Sequence, residues 1–219
     1  MATYVISGAG RGIGLELARR LGERGDTVIG LCRRASRELK DSGARIIEGV
    51  DVTSDASMRE LRAGLGDARI DVLVNNAGVL SREGLDSLDF DAIRRQFEIN
   101  TLGPLRVTAT CLGNLDEGSK VGIITSRMGS IGDNGSGGYY GYRASKAAVN
   151  AVGVSLARDL AGRGIAVALL HPGMVATDMT GGHGIPASEA AAGLVARLDA
   201  LDMSSSGTFW HANGEILPW

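Results

Sequence analysis

The sequence is short of cysteine, with two in 219 residues, Cys32 and Cys111, both in apolar surroundings. A disulfide framework needs more of them, and a metal site needs closer ligand spacing. The expectation is reduced thiols, a cytoplasmic protein and no bound metal. Histidine is scarce too, with three residues. His171 closes an apolar run beside Pro172, where a structural role is the simple reading. His183 lies in Gly181-Gly182-His183-Gly184 and either touches a substrate or faces solvent. Neither sign of charge is in excess: 23 basic residues face 25 acidic ones, for a formal net charge of −2. That balance excludes the basic footprint of a nucleic-acid binder or of a protein held on an anionic membrane. No apolar run nears the ~18 residues of a membrane span. The opening MATYVISGAG lacks the basic region of a signal peptide.

What is present is a core and an excess of glycine. Apolar residues make up 44% and charged residues 22%, the balance of a globular protein, and the length suits one domain over 1–219 with no linker. Glycine contributes 33 residues, about twice the usual ~7%, gathered at 8–14, 129–138 and 181–184 rather than spread as a repeat. Short β-branched runs read as buried strands at 4–6, 27–29, 45–47, 72–74, 121–124 and 165–170, and 207–210 resembles a seventh. Amphipathic stretches at about 12–24, 54–66, 87–112, 140–162 and 187–201 read as helices, and 33–43 is ambiguous. Apolar strands alternating with helices predict an α/β fold, a doubly wound and mostly parallel Rossmann-type sheet.

The first strand runs into Ser7-Gly8-Ala9-Gly10-Arg11-Gly12-Ile13-Gly14 and then a helix. Gly8, Gly12 and Gly14 fit G-x-x-x-G-x-G, and Ile13 stands where G-x-G-x-x-G would need glycine. Glycines let the backbone turn sharply and approach a pyrophosphate, and the helix start offers unpaired N–H groups. The second strand ends Leu31-Cys32-Arg33-Arg34, without the acid that binds a ribose 2′-hydroxyl in an NAD site. Arg33, with Arg11 in the turn, supplies guanidinium groups suited to a 2′-phosphate. The expected cofactor is NADP(H), unless these arginines are merely solvated.

Tyr142-Arg143-Ala144-Ser145-Lys146 places a phenol and an ammonium at i and i+4 on one helix face. A phenol titrates near pH 10, so proton exchange near neutrality needs about 4 kcal/mol of preferential phenolate stabilisation. A neighbouring ammonium is one means. Such a pair is weak by itself, because helix surfaces hold many.

Taken in order, the Gly8–Gly14 turn, Asn75-Asn76-Ala77-Gly78 after a strand, Ser126, Tyr142-x-x-x-Lys146 and Pro172-Gly173 resemble the short-chain dehydrogenase/reductase family in its single-domain form. The stretches 126–134 and 142–146 and the ending Gly214–Trp219 are most similar to its C-factor and sniffer-like carbonyl reductase subgroup. The resemblance implies that Tyr142 is a general acid/base that also meets the cofactor, that Lys146 lowers its pKa and binds the nicotinamide ribose, and that Ser126 polarises the substrate carbonyl. Asn100 would hold a water behind Lys146, or simply bond a neighbouring backbone group. Asp51 and Val52 would meet the adenine, and Asn76, Ala77 and Gly78 the adenine ribose, with Asn75 more structural. Pro172, Gly173, Val175 and Thr177 would hold the nicotinamide end. Ser126 and Tyr142 stand sixteen apart, against about thirteen in many relatives, so 133–138 reads as a looped insertion, and Ser130 is the rival if the alignment slips. The implied activity is NADP(H)-dependent hydride transfer to or from a carbonyl or secondary alcohol of small to medium size, in a homodimer or homotetramer. A nucleotide-sugar epimerase would need a longer chain. A signalling or redox-sensing protein that binds dinucleotide with little turnover is the alternative.

Overall fold

A computed structural model describes the whole chain, Met1–Trp219. The β-branched runs form β1 (Thr3–Ser7), β2 (Thr27–Cys32), β3 (Arg45–Glu48), β4 (Ile70–Asn75), β5 (Leu115–Ile124), β6 (Ala166–His171) and β7 (Thr208–His211). They pair in the order β3-β2-β1-β4-β5-β6-β7, and every ladder is parallel. The helices are α1 (Gly12–Glu23), α2 (Arg37–Asp41), α3 (Asp55–Leu65), α4 (Phe90–Phe97), α5 (Gly103–Cys111), α6 (Tyr140–Ala161) and α7 (Ala187–Ala200). None is long and apolar enough to cross a membrane.

Alternate residues of a strand face opposite sides of a sheet, and both sides are covered here. Tyr4 and Ile6 of β1 pack with Leu17 and Leu21 of α1 and with Leu194 and Leu198 of α7. Val5, between them, joins the other core with Leu61 of α3, Val107 of α5 and Val149 of α6. This two-sided burial is why the strands read as unbroken apolar runs rather than as alternating ones.

Three elements differ from the sequence expectation. β5 starts at Leu115 rather than at 121, its first part hidden from an apolar pattern by the exposed Asp116, Glu117 and Gly118, and its ladder with β4 shifts register between Ile70 and Val72. The ambiguous stretch after Arg33 holds the short α2, capped by Ser36 Oγ accepting from Leu39 N. The expected long helix over 87–112 is broken into α4, a π-helical turn Glu98–Leu102 and α5. The turn brings the buried Asn100 and Thr101 to α6, where Thr101 Oγ1 donates to Ser145 O at 2.8 Å. Such π turns gather at functional sites.

Candidate active site

All seven strands end on one edge, and the chain's strand order reverses between β1 and β4. A crevice opens there in folds of this kind. The turn after β1 closes tightly on the end of β4. A Cβ on Gly14 would lie 2.4 Å from Gly8 O and 2.6 Å from Asn76 Nδ2, and one on Gly8, itself at φ +68, would lie 2.9 Å from Ala77 Cα. Asn76 Nδ2 donates to Ser7 O (3.0 Å) and Gly8 O (3.2 Å), while the Asn76 and Ala77 amides donate to Ser7 Oγ. The Asn76 side chain is therefore spent on holding the turn. Asn75 is structural as expected, with Nδ2 donating to Thr108 Oγ1 at 3.0 Å. Arg11 gives α1 no side-chain cap, and its first turn, which includes Ile13, carries no acid. The opening N–H groups are thus free of a competing carboxylate, the donor set that suits a pyrophosphate.

Past β2, Arg33 and Arg34 are exposed and take part in no ion pair of the chain. Arg11 pairs with Asp178 at 2.6 Å, both side chains more than three-quarters exposed. Asp51 accepts from Thr53 N (2.9 Å) and Thr53 Oγ1 (2.8 Å). Those two bonds, and then the nearby charges of Arg33 and Arg95, hold its carboxyl below the usual range. Val52 is buried against α5, where a Cβ on Gly103 would meet its Cγ2 at 2.9 Å.

At the other end of the crevice, β5 delivers Ser126 and α6 carries Tyr142 and Lys146. Both α6 side chains are buried and lie on one face, with Lys146 Nζ 5.8 Å from the centre of the Tyr142 ring. Lys146 Nζ donates to Ile124 O at 2.8 Å, and burial pushes its pKa down to about 8. The Tyr142 phenol is shifted upward, chiefly by burial, and a hydrogen-bond interaction with Ser126 pulls partly the other way. Burial, rather than the neighbouring ammonium, sets the direction of this shift. The rival Ser130 is buried as well, its Oγ accepting from Asp133 N at 3.0 Å, as Ser126 Oγ accepts from Met128 N at 3.1 Å. The 133–138 insertion is tied to α6 by Arg143, which donates to Ser136 Oγ at 2.8 Å and Gly137 O at 3.3 Å.

Asn100 is fully bonded. Its Oδ1 accepts from Val79 N (2.8 Å), and its Nδ2 donates to Val79 O (2.9 Å) and Ser145 Oγ (3.0 Å). Its side chain thus splints the β4 exit to the residue before Lys146. A Cβ on Gly78 would stand 3.4 Å from Asn100 Oδ1 and 3.8 Å from Lys146 Nζ, so Gly78 lies between them. After β6, Pro172 and Val175 are buried and Gly173 adopts φ +89. Thr177 caps a short turn with Thr180, and its methyl faces Gly12. The segment after β6 thereby reaches back to the glycine-rich turn. His183 is exposed. His171 meets His211 edge-on at 4.9 Å.

Two acids escaped the sequence reading. Glu48, paired in register with Cys32, accepts from Ala35 N at 3.0 Å and shapes the turn that carries Arg33. Glu83 is buried beside the start of α6. A carboxylate at the end of β3 was a findable signal, whereas Glu83 sits in a stretch without pattern.

The sequence profile of the short chain dehydrogenases matches residues 2–184. The chain belongs to that family. Within it, the chain is 47% identical over 226 residues to the 1-hydroxy-2-glutathionyl-2-methyl-3-butene dehydrogenase of Rhodococcus sp. (strain AD45), with both proteins covered in full. It is 42% identical over 166 residues to the C-signal of Myxococcus xanthus, covering 74% of this chain and all of that protein. Among solved structures, the NADPH-bound carbonyl reductase from chicken fatty liver superposes with a TM-score of 0.92 at 25% identity, over 100% of this chain and 99% of that one. As a short-chain dehydrogenase, this chain is an oxidoreductase with a Rossmann-type sheet.

Proposed function

We propose that the protein is an NADP(H)-dependent carbonyl reductase in which Tyr142 is the proton donor. One observation carries the reading: Ser126, Tyr142 and Lys146 are gathered at the end of β5, on the same sheet edge as an uncapped glycine-rich turn. NADPH, when bound, supplies the hydride that adds to the carbonyl carbon. Gly8, Gly12, Ile13 and Gly14 would hold its pyrophosphate, Arg33 and Arg11 its 2′-phosphate, Ala77 and Gly78 its adenine ribose, and Pro172, Gly173, Val175 and Thr177 its nicotinamide end. The Ser126 hydroxyl donates to the carbonyl oxygen and polarises it. Tyr142 gives its phenolic proton to that oxygen as negative charge grows there, so the product is the alcohol. A phenol raised by burial is fully protonated at neutral pH, the form that reduction requires. Lys146, fixed to Ile124 O, offers an ammonium that favours the phenolate left behind. The reverse direction needs the deprotonated phenol and is disfavoured by the same burial.

The test is NADPH oxidation followed at 340 nm against ketones, aldehydes, quinones and acyl-thioester ketones. Glutathionyl alcohols are run with NADP⁺ in the opposite direction, because the Rhodococcus relative is named for one. Tyr142→Phe should lower kcat by about 10²- to 10⁴-fold and weaken NADPH far less, by under about tenfold, since a single hydroxyl of the cofactor site is removed. Unchanged turnover in that variant refutes the proton-donor role. Saturable dinucleotide binding with no turnover of any compound selects the signalling reading, which the likeness to the C-signal supports.

A further inference from the structure

Helix α6 begins without a cap of its own. Its N-cap is Tyr139, which offers no side-chain acceptor and sits at φ +52, the one left-handed residue of the chain that is not glycine. The missing acceptor comes from 58 residues earlier in the chain. Glu83 Oε2 accepts from Gly141 N at 3.3 Å, and Glu83 O accepts from Tyr139 N at 2.9 Å. Gly141 is the second residue of the helix, where a capping oxygen ordinarily binds. The left-handed N-cap and the first turn are thus both held by one residue of the β4–α4 connection.

Glu83 is itself held in place. It is 4% exposed and joins no ion pair of the chain. Its Oε1 accepts from Ser81 Oγ and from Gln96 Nε2, the latter at 2.9 Å. Gln96, 1% exposed, also accepts from Ser81 N at 3.1 Å through its Oε1. A buried carboxylate surrounded only by neutral donors is costly unless every acceptor direction is used. A Cβ on Gly141 would lie 2.3 Å from Gln96 Nε2 and 2.9 Å from Ile93 Cγ1. Glycine at 141 is what admits this network to the helix end, one residue before Tyr142.

We propose that Glu83, oriented by Gln96 and Ser81, is a positioning residue that fixes the first turn of α6 and so places the Tyr142 phenol against Ser126. The proposal rests on the reductase reading for what the phenol does, and on the fold alone for what holds it. Glu83 touches neither reacting atom. It acts through the backbone of Tyr139 and Gly141, three and one residues before the phenol.

The test compares the parent with Glu83→Gln, which keeps the shape and removes the charge, and with Ser81→Ala as a milder variant. In amide hydrogen exchange of the full chain, protection at 141–143 should fall by about tenfold in Glu83→Gln while 149–157 is unchanged, the signature of a local opening. In turnover, kcat should fall by about ten- to a hundredfold with NADPH affinity intact, as for a reacting group displaced by about an ångström. The basic limb of the kcat profile should move to higher pH as Ser126 loses the phenol. A merely structural Glu83 would lower the melting temperature and the active fraction without moving that limb. Unchanged exchange at 141–143 overturns the proposal whatever the turnover. If Glu83→Gln does not fold, Ser81→Ala decides by the same exchange readout. A parent without carbonyl turnover counts against the reductase reading alone.

Discussion

Replacing Arg33 with alanine separates a phosphate-binding site from a row of solvated charges. Arg33 stands past the end of β2, exposed and without an acidic partner within ion-pair distance. It breaks no ion pair of the protein when it turns to a ligand. Arg11 is already engaged with Asp178, an exposed pair of the kind worth only ~0.2–1 kcal/mol. It can be recruited, but at that cost. A charge-assisted contact between guanidinium and phosphate contributes about 1.5–3 kcal/mol. Arg33→Ala should therefore weaken NADPH by about 10- to 150-fold. NADH, lacking the 2′-phosphate, should be bound within about twofold of the parent. Arg11→Ala should give a smaller loss. The assay is fluorescence titration of both cofactors at fixed ionic strength, repeated at high salt, where the NADPH advantage should shrink because the site is exposed. Equal losses for the two cofactors, or a discrimination that disappears only in Arg34→Ala, would refute the assignment.

Gly14→Ala inserts a methyl where Gly8 O and Asn76 Nδ2 lie 2.4 and 2.6 Å away, so the turn itself must shift. The expected cost is about 1–3 kcal/mol, seen as a melting temperature lower by several degrees together with weaker NADPH binding, and an unshifted melting curve would mean that the turn yields freely. Burial first, and then the charges of His211, Arg127 and Lys146, hold His171 down to about 3, against 6.5 for a free imidazole. Between those values the unfolded chain takes up the proton that the folded one refuses, so stability falls as pH drops from 6.5 toward 3. Urea titrations at pH 7 and pH 4.5 should show about 2 kcal/mol more loss in the parent than in His171→Asn, and parallel losses would place the acid sensitivity elsewhere.

The legibility of this fold follows from which interactions are local. β1, β2, β4 and β6 were readable because a parallel sheet covered on both sides needs unbroken apolar runs. The first half of β5 was not, since Asp116, Glu117 and Gly118 lie at the open end of the sheet, where strand pairing does not demand apolar side chains. The break between α4 and α5 did leave a local trace, Gly103-Pro104, since Pro104 in the first turn of α5 has no N–H to continue the helical ladder back to Asn100 O. What was not legible is the bonding of Asn100 and Thr101 to Val79 and Ser145, contacts 21 to 45 residues away that accompany the break. Tyr142 and Lys146 could be paired from spacing because a helix fixes i and i+4. The direction of the phenol's shift could not, because burial is the sum of many distant neighbours. Gln96 is a polar residue and yet 1% exposed, a burial that residue type alone does not announce. The one faint signal was Gly141, a glycine inside a helix next to the key tyrosine, where alanine would be favoured by propensity.

These contacts divide the site into a rigid part and a lightly tethered one. The start of α6 is held by Glu83, and Arg143 ties it to the insertion at Ser136 and Gly137. Asn100 and Thr101 clamp its next turn through Ser145, and Lys146 is fixed to Ile124. Most of these bonds are buried, where each is hard to replace with water. The glycine-rich segment after Thr177 has a different character. It closes on the glycine-rich turn through the exposed Arg11–Asp178 pair, and Gly181, Gly182 and Gly184 all adopt positive φ. On the reading proposed above, such an arrangement keeps the Tyr142 phenol and the Ser126 hydroxyl preorganised, as electrostatic catalysis requires. It leaves adaptation to the substrate's shape to the segment whose rearrangement costs least. Selectivity among carbonyl compounds should accordingly respond to substitutions at 178–184, whereas substitutions around Glu83 and Asn100 should change rate for every substrate alike.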